Sequence, residues 1–269
     1  MKKTEKLGPS SVDAIHKSEG TFFDRKVEQD TEGLKEEKLL IDPAAHQAIL
    51  RLAGLDGDLT GKKALECGCG TGFISVLLAM MGAEVWCFDL SPKSIEMALK
   101  RASVNEVSDR VSAKVAAFEN LDYKDESFDI IMGTYILHHI SDKRLAGAQI
   151  RRMLKKGGRA IFFEVNANNP ILMFFRSHVV GKSRFIPKIG TMEEHPLTTD
   201  DVEVLSSIFD NRCIVSYPRF SFFGKLDHQI LKQRFKPISF LLEGMDRMIY
   251  TFFPPARKYS YLIMLEFTK

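Results

Sequence analysis

Three glycines lie within five residues, directly after a short apolar run. The stretch Ala64–Phe73 reads ALECGCGTGF, and its glycines are Gly68, Gly70 and Gly72. Residues without a side chain let the backbone approach a ligand closely, and the start of a following helix presents free N–H groups. The stretch therefore predicts a ligand-binding loop between a strand and a helix, which restricts the chain to folds that place such a loop at a strand end.

Short apolar runs alternate with helical patterns on both sides of this loop. Predicted strands cover residues 63–66, 84–88, 111–116, 128–132, 160–164, 212–217 and 261–267, and predicted helices cover 43–54, 71–81, 92–104 and 143–154. Continuous apolar strands that alternate with helices are typical of a parallel sheet covered on both faces. Ligands bind such sheets beyond the carboxyl ends of the strands, which is where the glycine loop falls.

Three other segments carry patterns of their own. Residues 24–38 are mostly charged and predict a solvated helix or a mobile arm. Lys156-Gly157-Gly158 predicts a turn before the strand at 160–164. An apolar stripe at helical spacing predicts a late helix packed on the core, and its members are Ile238, Leu241, Leu242, Met245, Ile249 and Phe252.

Two cofactors suit a glycine loop of this kind, a nicotinamide dinucleotide and S-adenosylmethionine. The dinucleotide pattern G-x-G-x-x-G/A matches at Gly68 and Gly70, but its third small residue is replaced by Phe73. The nicotinamide interpretation is therefore weakened. Asp89 ends the next strand nineteen residues after Gly70, and an acid there can accept hydrogen bonds from the ribose of either cofactor. The other interpretation of Asp89 is a helix cap before Ser91-Pro92.

The loop resembles that of the class I S-adenosylmethionine-dependent methyltransferases, whose signature is E/D-x-G-x-G-x-G. Glu66, Gly68, Gly70 and Gly72 match it at every position. Two later stretches also resemble segments of the family, AAFENLDYKDESFDIIMGTYILHHI at 116–140 and MLKKGGRAIFFE at 153–164. The resemblance covers approximately residues 60–166. It implies a Rossmann-like, doubly wound α/β fold with a seven-stranded, mostly parallel sheet and an antiparallel edge strand, for which residues 261–267 are the candidate.

The same resemblance implies an organisation of the chain and a set of cofactor contacts. Residues 1–58 would form an N-terminal helical arm or lid, 59–166 the cofactor-binding core, and 167–269 substrate-cap insertions with the last two strands. Phe22-Phe23-Asp24-Arg25 resembles the aromatic segment with which similar enzymes cover the methionine end of the cofactor. The residues implied to contact S-adenosylmethionine are Glu66, Gly68, Gly70, Gly72, Asp89, Leu90, Ala117, Phe118 and Thr134.

Ala117 departs from the family pattern, because many relatives carry an aspartate there that accepts a hydrogen bond from the adenine amino group. By the same resemblance, the amide N–H of Phe118 can still bind the adenine ring nitrogen, and the side chain of Phe118 can cover the adenine face. Glu119 can replace the missing acceptor. Without a replacement, cofactor binding would weaken by about 1–1.5 kcal/mol. The departure keeps one alternative open, a catalytically silent methyltransferase-like module that acts through partners.

Methyl transfer from a sulfonium needs alignment and a dry pocket more than a reactive side chain. An alcohol or phenol must also lose a proton, and a neutral histidine is suited to accept it near pH 7. His139 and Tyr135 follow the fourth strand and are candidate catalytic residues, although the LHH pair of relatives is often structural. His195 is a third candidate. Glu193-Glu194-His195 predicts a loop beside the substrate pocket rather than a metal site, since no second histidine or cysteine follows at a ligand spacing.

Basic residues and phenylalanines concentrate in two late segments. Residues 165–198 and 219–258 hold twelve Lys and Arg, five Asp and Glu, and ten of the 20 phenylalanines. Three functional interpretations stay open: a pocket for a large apolar acceptor with an acidic group, an anionic membrane surface, and a docking site for an acidic carrier protein. An ordinary helical cap with solvated basic residues is the fourth.

Nucleic acid is a disfavoured substrate class, because a pI of 8.6 is low for a nucleic-acid-binding domain. DNA and protein N-methyltransferases of this fold carry N/D-P-P-Y/F after strand four, where this chain reads Gly133-Thr134-Tyr135-Ile136.

Four cysteines are too few for a disulfide scaffold and indicate a cytoplasmic setting. Peripheral association of the cytoplasmic protein with a membrane is a further expectation. The sequence predicts an S-adenosylmethionine-dependent methyltransferase for a small, hydrophobic or carrier-tethered acceptor, with oxygen favoured and N- or C-methylation as alternatives.

Overall fold

The computed structural model describes residues 9–32, 34–178, 195–218, 222–227 and 234–269. Within these residues the chain forms seven strands and nine α-helices, with short 3-10 helices between them. The strands are β1 (Lys63–Cys67), β2 (Glu84–Asp89), β3 (Val111–Val115), β4 (Phe128–Thr134), β5 (Leu154–Val165), β6 (Cys213–Ser216) and β7 (Leu262–Thr268).

The seven strands form one sheet in the order β3-β2-β1-β4-β5-β7-β6. β1 pairs in parallel with β2, and β2 pairs in parallel with β3. β7 is antiparallel to both of its neighbours, β5 and β6. The predicted Rossmann-like, seven-stranded and mostly parallel sheet with an antiparallel strand towards one edge is confirmed. β7 is that strand, and β6 lies outside it.

The helices accompany the strands along the chain. They are α1 (Pro9–Thr31), α2 (Pro43–Leu52), α3 (Phe73–Met80), α4 (Pro92–Val104), α5 (Lys143–Met153), α6 (Pro170–His178), α7 (Thr199–Ile208), α8 (Phe223–Leu226) and α9 (Lys236–Phe252). Local sequence explains their starts. Ser91 caps α4, because its side chain accepts the N–H of Ser94 at 2.9 Å, and Pro92 occupies the first turn. Thr198 and Asp201 form a capping box at the start of α7.

Two compact units divide the chain. Residues 1–132 with 153–155 form the first unit, and residues 133–152 with 156–269 form the second. In the first unit, Leu65 of β1, Leu77 of α3 and Phe88 of β2 are fully buried. In the second, Phe267 of β7 stacks on Phe209 with ring centroids 4.8 Å apart. Burial of each such side chain contributes about 1.5–3 kcal/mol. The units cut across the three predicted segments, whose boundaries stay a prediction.

The N-terminal segment differs from the predicted solvated helix or arm over residues 24–38. The helix α1 instead runs over Pro9–Thr31, and a separate 3-10 helix covers Glu36–Leu39. α1 packs on α4, and Glu19 and Gly20 are buried. The charged run therefore marked only the end of a longer helix, which is buried at Glu19 and Gly20.

Two further expectations need correction in the second unit. β5 begins at Leu154 and runs through the predicted turn, because Gly157 at φ 75° donates its N–H to the carbonyl of Lys269 at 2.8 Å. The predicted apolar stripe of α9 is only partly packed, because Leu242, Met245 and Ile249 are half-buried and the other three members are exposed. Leu241 and Phe252 are 63% and 72% exposed, whereas the buried residue of this helix is Asp246.

Candidate functional site

The glycine loop after β1 has a backbone that other residues rarely adopt. Gly68, Gly70 and Gly72 have φ values of 64°, 49° and 76°. A residue with a Cβ atom pays about 1–2 kcal/mol in this left-handed region. Three such positions in five residues explain why the sequence uses glycine at each of them.

Two of these glycines have different surroundings. A Cβ atom at Gly72 would lie 2.6 Å from the Cβ of Ala98, so the loop needs this glycine to approach α4. A Cβ atom at Gly70 would find no atom within 4 Å. The loop is thus packed against protein at Gly72 and open at Gly70, as expected of a backbone that receives a ligand on one side.

Asp89, at the carboxyl end of β2, is held by the loop. Its Oδ2 accepts the N–H of Gly70 at 2.9 Å, and its Oδ1 accepts the N–H of Ser91 at 2.9 Å. The helix cap of α4 is Ser91, so capping does not explain Asp89. A half-buried carboxylate fixed beside an open glycine loop is positioned to accept hydroxyl hydrogen bonds. The residues of this site therefore fit the nucleoside part of S-adenosylmethionine.

Glu66 lies beneath the same loop and is 2% exposed. Its carboxylate accepts a hydrogen bond from the hydroxyl of Ser75 on α3. Burial raises the pKa of Glu66 well above its ordinary range, and burial likewise raises the pKa of the Cys67 thiol. Ser75, a polar residue at a fully buried position of α3, was not predicted as a site residue from the sequence.

Helix α1 fastens onto this region through polar contacts that the sequence did not predict. Asp24 accepts hydrogen bonds from the hydroxyl of Ser91 at 2.5 Å and from the N–H of Lys93 at 3.1 Å. His16 lies 3.2 Å from Glu119, measured from Nε2 to Oε2. These contacts hold α1 beside the residues that follow β2 and β3. The predicted lid over the cofactor stays a prediction. The sequence indicates these contacts only through two polar residues eight positions apart, His16 and Asp24.

The residues around Ala117 take unexpected roles. Phe118 is 4% exposed and its ring meets that of Phe88 edge-on at 5.9 Å, so its side chain belongs to the core. Glu119, the suggested replacement acceptor, is paired with His16. Ala117 is itself buried at 9% exposure. The part of Ala117, Phe118 and Leu90 in cofactor binding stays a prediction.

The segment after β4 contains the candidate catalytic residues of the second unit. Thr134 ends the strand, and Tyr135 follows with a φ of 58° and 45% exposure. Positive φ at a bulky residue is strained and is frequent at functional sites. His138 is 8% exposed, and its ring lies 4.3 Å from that of His139.

Glu164 of β5 holds this segment in place. Its Oε1 accepts the N–H groups of Ile136 at 2.9 Å and Leu137 at 2.7 Å, and its Oε2 lies 2.8 Å from Nδ1 of His138. The carboxylate has no exposed surface. Glu164 was not predicted as a site residue, although a lone acid at the end of the apolar strand IFFEV was a usable signal.

His195 does not join this group of contacts. It is exposed and lies two residues before Leu197, whose N–H donates to the carbonyl of Val165 at 2.9 Å. Glu193 and Glu194 lie outside the described residues. In the part of the chain that the structure describes, no three His, Cys, Asp or Glu side chains are grouped to hold a metal ion. The catalytic part of His195 stays a prediction.

Comparison with known proteins agrees with this geometry. Residues 65–162 match the family model described as "Methyltransferase domain". The 27-O-demethylrifamycin SV methyltransferase of Amycolatopsis mediterranei is 33% identical over 125 residues, which is 46% of each chain. The ubiquinone biosynthesis O-methyltransferase of Idiomarina loihiensis is 33% identical over 111 residues, 41% of this chain and 45% of that protein. The match thus spans about half the length of these curated relatives.

A solved structure shares the fold over nearly the whole chain. It is the geranyl diphosphate C-methyltransferase of Streptomyces coelicolor, with a TM-score of 0.57, 12% identity, and coverage of 98% of this chain and 99% of that one. At this identity the likeness shows the fold alone. The chain contains a class I S-adenosylmethionine-dependent methyltransferase domain, and the predicted family resemblance and cofactor are confirmed for that domain.

Proposed function

We propose that this protein transfers a methyl group from S-adenosylmethionine to a hydroxyl oxygen of a small, hydrophobic acceptor. The observation that carries the proposal is Asp89, fixed by the N–H of Gly70 beside a loop that is open at that glycine. Relatives named O-methyltransferases support oxygen as the acceptor atom.

In this proposal the chain's own residues bind and orient the cofactor. Asp89 accepts the ribose hydroxyls, each such charged hydrogen bond contributing about 1.5–3 kcal/mol. The backbone of the glycine loop lies against the cofactor where side chains are absent, and Glu66, Leu90, Ala117, Phe118 and Thr134 are the further proposed contacts. When bound, S-adenosylmethionine supplies an electrophilic methyl group on sulfur.

The acceptor's proton needs a base, and we assign it to His139. The hydrogen bonds of Glu164 fix the backbone of the segment that carries this histidine, together with the ring of His138 on which His139 packs. A fixed base within reach of a hydroxyl accelerates such reactions by about 10²–10⁴-fold. Tyr135, exposed at the end of β4, is the proposed contact for the acceptor.

A second candidate function is a silent module that binds cofactor without transferring its methyl group. Ala117 favours it, because this position lacks the acceptor found in many relatives. The pairing of Glu119 with His16 supports it too, since that carboxylate is engaged elsewhere. Saturable binding of S-adenosylmethionine without transfer to any acceptor would identify this case.

The test is methyl transfer from labelled S-adenosylmethionine to a panel of phenols and lipid-like alcohols. For the acceptor that is used, His139→Ala is compared with the wild type across pH 6–9. Asp109→Ala is the control, because Asp109 is an exposed acid outside the segments considered for the acceptor. We expect His139→Ala to lower kcat by about 10²-fold or more and Asp109→Ala to leave it unchanged. Unchanged turnover of His139→Ala across this range would remove His139 as the base.

A further inference from the structure

Helix α9 exposes an unusual amount of apolar surface. Phe240 is 80% exposed, Phe252 72%, Leu241 63% and Met248 58%. The flanking residues add Phe235 at 56% and Phe253 at 65%, and Ile238 in the first turn is 42% exposed. Single exposed apolar residues are normal on a protein surface, but a group of this size on one helix indicates a binding surface. We call the exposed apolar residues of positions 235–253 the α9 face.

The α9 face is broad and uncharged. At 3.6 residues per turn, the exposed positions 238, 241, 248 and 252 and the half-buried Met245 follow one line, while Phe240 and Thr251 lie farther round the helix. Together they cover an arc of roughly 160° in which no charged residue falls. If a second helix packed on α9, it would cover only the narrow stripe formed by positions 238, 241, 245, 248 and 252. Phe240 would then stay exposed to water. The width of the arc favours a flat apolar partner.

The charges around the α9 face are mostly basic. Arg234, Lys236, Arg247 and Lys258 are exposed, and Glu243 is the exposed acid of the helix. The other acid, Asp246, is buried and engaged. Its carboxylate accepts the N–H groups of Phe222, Phe223 and Gly224 at 3.1, 3.0 and 2.8 Å. Basic residues beside exposed phenylalanines are complementary to an anionic bilayer, in which negatively charged headgroups lie above an apolar acyl region.

We propose that the α9 face docks on an anionic lipid bilayer, with α9 lying in the interface. The buried Asp246 fixes the helix to the start of α8, so the apolar side is displayed by the fold itself. In the part of the chain that the structure describes, no helix is long and apolar enough to cross a bilayer. The docking is thus peripheral. The proposed docking depends on the exposed apolar residues of the α9 face and the basic residues around it, and it does not require the proposed methyl transfer.

The test is flotation of the full chain with phosphatidylcholine vesicles that contain or lack phosphatidylglycerol. The double variant Phe240→Ser, Phe252→Ser removes the two most exposed apolar side chains of the helix. Ile214→Ser is the matched control, because Ile214 is 60% exposed on the strand β6. We expect the wild type and the control to float with the anionic vesicles, and the double variant to bind about tenfold more weakly or worse.

A second pair of changes tests the charge. Lys236→Glu with Arg247→Glu is expected to weaken binding to the anionic vesicles, and added salt is expected to weaken wild-type binding. Circular dichroism and thermal melting check that all variants fold. Failure of the wild type to float would overturn the proposal. So would self-association that the phenylalanine variant abolishes without any vesicle binding, since the partner would then be a second copy. Binding to the anionic vesicles that depends on Lys236 and Arg247 but not on the phenylalanines would also overturn it, because electrostatic attraction alone would then hold the protein at the lipid surface.

Discussion

The loop after β1 and the segment after β4 both leave the end of a buried strand, but different forces hold them. The first is held by backbone conformation, with three glycines at positive φ and an N–H bound to Asp89. The second contains Tyr135 at positive φ and depends on the buried side chain of Glu164, which accepts two N–H groups and contacts His138. A loop built from local backbone can be read from its own residues, whereas a segment held by a distant side chain cannot.

The largest effect is expected for Gly72→Ala in the first loop. The new Cβ would lie 2.6 Å from that of Ala98 and would occupy a left-handed backbone position. We expect a loss of about 2–5 kcal/mol in the free energy of unfolding, measured by urea titration.

Gly70→Ala is the matched variant in the same loop, since its Cβ would meet no atom within 4 Å. Its stability should fall by only about 1–2 kcal/mol, while binding of S-adenosylmethionine is lost. Equal destabilisation by the two variants would show that crowding at Ala98 does not distinguish them.

The next effect is expected for Glu164→Ala in the second segment. The change leaves two buried N–H groups and the ring of His138 without their acceptor. We expect a loss of about 2–4 kcal/mol in the free energy of unfolding.

Glu266→Ala is the control for Glu164→Ala. Glu266 on β7 pairs with Arg159 of β5 at 2.8 Å in a partly exposed site, and such pairs contribute about 0–1 kcal/mol. If Glu164→Ala and Glu266→Ala had the same free energy of unfolding, the segment after β4 would not depend on the side chain of Glu164.

The fold and the positions of the glycine loop and Asp89 were largely predicted from the sequence, whereas their contacts with the cofactor stay a prediction. The loop signature, the strand alternation and Asp89 all depend on neighbours in the chain, and their positions were predicted. The contacts of Glu164, Asp24 and His16 were not, because each joins residues far apart in sequence. The exposure of Leu241 and Phe252 was also missed, since helical spacing shows that a face is apolar but not what covers it.

The smallest effect concerns the pH dependence of stability at Glu66. Burial raises its folded-state pKa above the ordinary value of 4.5, so its contribution is fully present below that pH and is lost as pH rises through the raised pKa. Glu66→Gln removes this titration. The stability of the variant relative to the wild type should therefore increase with pH, as measured by urea unfolding from pH 5 to pH 8.

Glu84→Gln, at an exposed position of β2, should leave that pH dependence unchanged. A constant difference in unfolding free energy between Glu66→Gln and the wild type would show that the carboxyl group has the same pKa folded and unfolded.

The most direct test of cofactor binding is calorimetric titration with S-adenosylmethionine, S-adenosylhomocysteine and NADH. It compares the wild type with Asp89→Ala and with Asp109→Ala, which removes an exposed acid instead. We expect the wild type and the control to bind both sulfur compounds and not NADH, and Asp89→Ala to bind them about tenfold to a hundredfold more weakly. Undiminished binding to Asp89→Ala, or no binding of either sulfur compound to the wild type, would contradict this account of the site.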